Sequence, residues 1–152
     1  MTYTTAEARQ ELLDAVAQAT DQIGSALGAL VEAYERLDEQ TADTLEQELF
    51  GPVQSAYGRT QRIYAEYADR HGLSRRTFAP PPPGAPSKRV EDLLEDAVDA
   101  VAQADVTLAA LQDSMLPVEF GDPALRAALE EVRKLLGENR ARSRQLARTI
   151  GR

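Results

Sequence analysis

The stretch Leu13-Asp14-Ala15-Val16-Ala17-Gln18-Ala19-Thr20-Asp21-Gln22-Ile23-Gly24-Ser25-Ala26-Leu27-Gly28-Ala29-Leu30 decides the fold. Its seam is Leu13, Val16, Thr20, Ile23, Leu27 and Leu30, and the same alternating steps of three and four continue to Tyr34 and Leu37. That spacing marks one face of a long helix packed in heptads. The rows beside the seam are apolar and mostly small: Leu12, Ala19, Ala26 and Ala33 on one side, Ala17, Gly24 and Val31 on the other. An apolar stripe that wide touches two neighbouring helices, which predicts a bundle rather than a two-stranded coil.

Three further segments repeat the pattern. The second seam is Leu49, Val53, Ala56, Thr60, Ile63 and Tyr67. The third is Val90, Leu94, Ala97, Val101, Ala104, Leu108, Leu111 and Met115, and the fourth is Leu125, Leu129, Val132, Leu136, Asn139, Ser143, Leu146 and Ile150. The punctuation fits. Thr4 and Glu7 make a capping box before the first helix, and Gly72 is a C-cap after the second. Ser87 can cap the third helix and Pro117 ends it, while Asp122-Pro123 opens the fourth as N-cap and first position. The first turn is read at Asp38–Asp43. A kink or break is expected at Gly51-Pro52, with a continuous helix from Thr5 to Phe50 as the rival.

Charge alternates along the chain. Residues 1–50 hold 2 basic and 11 acidic side chains, 51–88 hold 6 and 2, 89–122 hold 1 and 9, and 123–152 hold 8 and 3. The expectation is an all-α, antiparallel up-down-up-down four-helix bundle in one domain, residues 1–152. Hairpin 1 covers about 4–72, a proline-rich linker 73–87, and hairpin 2 about 88–151. Four prolines, Pro80 to Pro83, favour an extended polyproline segment that works as a stiff connection; its P-x-x-P-x-K match to SH3 ligands is the weaker reading. The hexapeptide Asp14–Ala19 recurs as Asp99–Ala104, and Gly58 and Gly72 match Gly137 and Gly151 at one offset, compatible with a duplicated hairpin.

Composition removes whole classes of function. The chain has no cysteine, so it has no disulfide, thiolate nucleophile or Cys-held metal. It has one histidine, His71, with Ala68 three residues earlier, so the paired Glu-x-x-His motifs of di-iron bundles are missing. No seam buries a carboxylate, and no strand precedes a glycine-rich loop, so no enzyme, metal site or cofactor is expected. A formal charge of −8 argues against nucleic acid, and the basic helix ends have a sufficient reason in the helix dipoles. No apolar run is long enough to cross a membrane, and the N-terminal residues lack the pattern of a signal peptide. A cytoplasmic protein is expected.

Two sets of residues remain as candidates. Thr20, Thr60 and Asn139, with Ser143 a turn away, interrupt the seams and form a polar layer, read as a structural feature or as a small-ligand site in the core. Tyr57, Tyr64 and His71 form a stripe beside the second seam, read as partner-docking residues or as side chains covering the groove to the next helix. Asp105 and Arg133 are expected to face each other. The function expected is a non-enzymatic interaction or assembly module with a protein partner or itself. A ligand-binding bundle is the alternative, and an amphipathic protein that opens on a lipid surface is the third class.

Overall fold

The heptad segments all become helix in the computed structural model, which describes residues 4–79 and 81–150, without the Asn139 side chain. The elements are α1 (Thr5–Glu35), α2 (Glu39–Leu45), a π-helical turn (Glu46–Phe50), α3 (Gly51–Arg70), α4 (Val90–Asp113), α5 (Leu116–Glu119) and α6 (Pro123–Ile150). The fold is all-helical, with no strand among the described residues.

Local chemistry sets the boundaries. Thr4 accepts from the Glu7 amide while Glu7 reaches back to the Thr4 amide, closing the capping box. The first turn is shorter than expected. α1 stops at Glu35 and α2 begins at Glu39, because Asp38 caps it by accepting from the Thr41 amide and hydroxyl. Neither a break at Gly51-Pro52 nor a continuous helix to Phe50 is found. Proline has no amide to donate and crowds the preceding turn, and here the helix widens into the π turn ahead of Pro52 and carries on. Gly72 has φ +64°, the left-handed conformation that ends a helix at low cost to glycine. Ser87 is not the cap of α4: Arg89 occupies that position and no side chain caps the helix. α4 stops at Asp113, four residues before Pro117, so Met115 leaves the seam and is 57% exposed.

The seams make one core. Leu13, Val16, Ile23, Leu27 and Leu30 of α1 join Leu49, Val53 and Ile63 of the second segment, Leu94, Val101 and Leu108 of α4, and Leu125, Leu129 and Val132 of α6 in a single buried cluster. α1 packs on α3 and α4, and α6 packs on the same two helices from the other side. Burying a Leu or Val side chain is worth about 1.5–3 kcal/mol, so this cluster is the main source of stability.

The helix directions correct the expected order. α3 follows from the end of α1, where Tyr34 meets Phe50 edge-on with centroids 5.9 Å apart. The linker then climbs beside α1, and Arg36 at the upper end of α1 donates to the carbonyls of Ala85 and Lys88. α4 therefore starts at the same end as α3 and runs the same way, not the opposite way as an up-down-up-down chain requires. The reason is the linker: a docked extended strand spans a whole helix length, which a tight turn cannot. α1 and α4 cross head to tail, and Thr107 donates to Gln22 at 2.8 Å. These two residues are separated by the same 85 positions as the repeated hexapeptides.

Candidate functional site

Three places concentrate polar chemistry. The first is the groove that holds the linker. Gly24 and Gly28, one turn apart, leave α1 without side chains where the prolines pass. A Cβ on Gly28 would lie 2.1 Å from the Pro82 carbonyl oxygen, and the Gly84 amide donates to the Gly28 carbonyl at 2.8 Å. On α3, the Tyr64 hydroxyl accepts from the Arg76 amide at 3.0 Å, and its ring meets Phe78 edge-on at 5.1 Å. The Tyr57 hydroxyl reaches the Ala79 carbonyl at 3.4 Å. The Arg76 guanidinium lies 4.3 Å above the Phe78 ring and bridges to Asp21. Aromatic rings and close-approach glycines are what an extended proline-rich strand needs, since it offers ring faces and carbonyls but few amides. Tyr57 and Tyr64 thus hold the chain's own linker.

His71, the third member of that stripe, faces elsewhere. Its Nε2 lies 2.9 Å from Asp122 Oδ2, beside the Tyr67 ring. Arg70 clamps the same carboxylate through both oxygens at 2.8 and 3.0 Å, and Asp122 also accepts from the Leu125 amide at 2.7 Å as the N-cap of α6. Burial alone would raise the Asp122 carboxyl. The bonds from Arg70, Leu125 and His71 outweigh it and hold it at about 2. The Tyr67 hydroxyl donates to the Phe120 carbonyl at 2.9 Å. This cluster ties the end of α3 to the start of α6. The donors saturate the carboxylate, which leaves it no free lone pair for acid–base work.

The expected polar layer is met only in part: Ser143 does not join it. Thr20 and Thr60 are fully buried and share a level, because Tyr57 touches Gly24 across the α1–α3 interface. Each hydroxyl donates to its own helix, Thr20 to Val16 at 2.8 Å and Thr60 to Tyr57 at 3.0 Å. Ser143 is buried too, but contacts along α3 and α6 fix it elsewhere. Arg70 meets Asp122, Arg59 meets Glu131, and Arg142 meets Glu48. Ser143 therefore stands near Glu48, roughly 18 Å from Thr60 at 1.5 Å per residue. The expected alignment came from matching the two hairpins in sequence, and contacts across the interface set a different register. The Asn139 side chain lies outside the described residues.

The third place lies between the start of α4 and the end of α6. Glu91, Asp92, Glu95 and Asp99 form one wall of an open groove of about 610 Å³, Arg144 and Arg148 form the other, and Val98 and Ala147 make the floor. Among the described residues, Arg144 and Arg148 have no ion-pair or hydrogen-bond partner. The groove lies at the upper end of α1, the pole where Arg36 meets Lys88 and Arg142 meets Glu48. α6 ends at that pole, because α4 and α6 run in opposite senses, and brings its arginines with it. The antiparallel pairing of α4 with α6 sets the basic end of α6 beside the acidic start of α4 already in the sequence. What the sequence left open is the end of α1 at which they stand, and the signal for that is the linker length, which is enough to reverse hairpin 2.

Among the described residues no group of three or more His, Asp or Glu side chains could hold a metal ion, and no helix is long and apolar enough to cross a membrane. No protein-family model, curated protein or solved structure matches the chain.

Proposed function

We propose that the protein is a non-enzymatic interaction and assembly module of the cytoplasm. It is an up-down-down-up four-helix bundle clamped by its own proline-rich strap, and it works through its outer faces. The observation that carries this reading is where the unsatisfied chemistry lies. The buried hydroxyls of Thr20 and Thr60 are bonded to their own helices. The Asp122 carboxylate is saturated. Open to a partner is the surface groove with carboxylates on one wall and arginines on the other. Opposed charge on a rigid surface favours selective association more than turnover. Thr20 and Thr60 hydroxyls already bonded within their own helices offer a core ligand little.

Native mass spectrometry of the protein purified from cells tests this. The expected spectrum holds the chain, its multiples or a protein complex, with no small molecule. A small molecule retained at one per chain, and lost in Thr20→Val or Thr60→Val, would refute the reading.

A further inference from the structure

The groove between α4 and α6 is self-complementary. Along α4 the outward residues are Glu95, Asp99, Ala102, Val106 and Asp113. At matching heights on α6 stand Arg144, Arg140, Gly137, Lys134 and Arg126, as fixed by the Asp105–Arg133 pair and by the residues lining the groove. Glu95, Asp99 and Asp113 stand opposite Arg144, Arg140 and Arg126, and between them Ala102 and Val106 stand opposite Gly137 and Lys134. Val106 is 58% exposed at the middle of the strip, and a Cβ on Gly137 would meet nothing within 4 Å.

We propose that this face is a dimer interface whose occupant is a second copy of the chain. Charge selects the copy and its orientation. A two-fold axis parallel to the helices sets α4 against α6 of the partner subunit at the same height. Glu95 then faces Arg144 of the partner subunit, Asp99 faces Arg140 of the partner subunit, and each contact occurs twice. A two-fold axis across the helices would set α4 against itself, acid on acid, and is disfavoured. Such a face also lets two chains of net charge −8 approach where their fields attract. Ala102 and Gly137 permit close helix contact, and Val106 becomes buried at the centre. α4 is about 36 Å long at 1.5 Å per residue. Two helices 8–10 Å apart are roughly 20 Å wide with their side chains. That makes roughly 700 Å² a side, close to the ~800 Å² of stable interfaces.

This inference rests on the reading of the protein as an interaction module and names its partner. Sedimentation of the full chain at high micromolar concentration tests it with two charge-reversed variants. One is Glu95→Arg with Asp99→Arg, and the other is Arg140→Glu with Arg144→Glu. The wild type is expected to dimerise, with its association constant falling by about tenfold or more as the Debye length shrinks from ~30 to ~3 Å. Each variant alone is expected to be monomeric, since both of its opposed faces then carry one sign. Mixed in equal amounts, the two are expected to form a heterodimer with both contacts restored. Circular dichroism melting confirms that each is folded. Should charge reversal loosen the chain itself, Val106→Arg, on an outward side chain, is expected to abolish the dimer without touching the fold. A wild type that stays monomeric at low ionic strength overturns the proposal, as does a dimer that survives the variants or a mixture that fails to pair. A monomer free of any small molecule sinks the dimer alone; a retained core ligand sinks the interaction-module reading beneath it.

Discussion

Gly28→Ala puts a methyl group where the strap lies. The new Cβ would sit 2.1 Å from the Pro82 oxygen and 3.3 Å from its carbonyl carbon, so backbone has to move. Alanine in a helix otherwise gains about 0.5–1 kcal/mol over glycine. Against that stand the Gly84–Gly28 hydrogen bond, worth about 0.5–1.5 kcal/mol, and overpacking of about 1–3 kcal/mol. The net expectation is a loss of about 1–3 kcal/mol, or roughly 2–4 °C of melting temperature per kcal/mol for a chain of this size. Gly58→Ala is the control. It lies in α3 with nothing within 4 Å of its would-be Cβ, so it is expected to stabilise by up to about 1 kcal/mol. Urea unfolding measures both. Trypsin gives a second readout, because a lifted strap frees the backbone at the already exposed Arg75 and Arg76 for cleavage. If Gly28→Ala is as stable as Gly58→Ala and as slowly cleaved, the strap is not seated on α1 and the reasoning fails.

Two other outcomes are expected. Arg133 donates to Asp105 at 2.9 Å and to Gln112 at 2.9 Å from a partly buried position. An Asp105→Ala, Arg133→Ala double-mutant cycle should give coupling of about 0.5–1 kcal/mol, near the top of the range for surface pairs; zero coupling would show the pair to be ornamental. Asp122 is depressed to about 2 from 3.8, so its stabilising effect is complete above the unfolded value. It fades as pH falls below about 4 and is gone below about 2. Asp122→Asn should therefore cost about 1–3 kcal/mol at neutral pH and flatten the acid limb of the stability profile; an unchanged acid limb would contradict the assignment.

The faces of the helices were legible because burial obeys a period. Every residue of the second seam from Leu49 to Tyr67 is buried, and so are Leu13 to Leu30 of the first. The caps at Thr4, Gly72 and Asp122 were legible because each is a local bond between near neighbours. The Asp105–Arg133 contact was legible because a short connection fixes the register of α4 against α6. The direction of hairpin 2 was not. A heptad reads the same for a helix running either way, and nothing local says whether fifteen linker residues loop out or lie down. Gly24 and Gly28 held that information, but in sequence they looked like small residues of a helix seam. Ser143 stands apart from Thr60 for the related reason that repeat matching aligns sequences, whereas contact aligns heights.

The strap also changes what surrounds α1. That helix has α3 on one flank, α4 on another and the proline strand along the edge between Asp21 and Arg36. Exchange of an amide hydrogen with deuterated water requires its helix to open, and α1 can open only after three neighbours have left it. Its middle, from about Ala19 to Leu30, is expected to hold its hydrogens longest, up to the limit set by global unfolding. The last turns of α6, where Arg144 and Arg148 have no partner among the described residues, are expected to surrender theirs first.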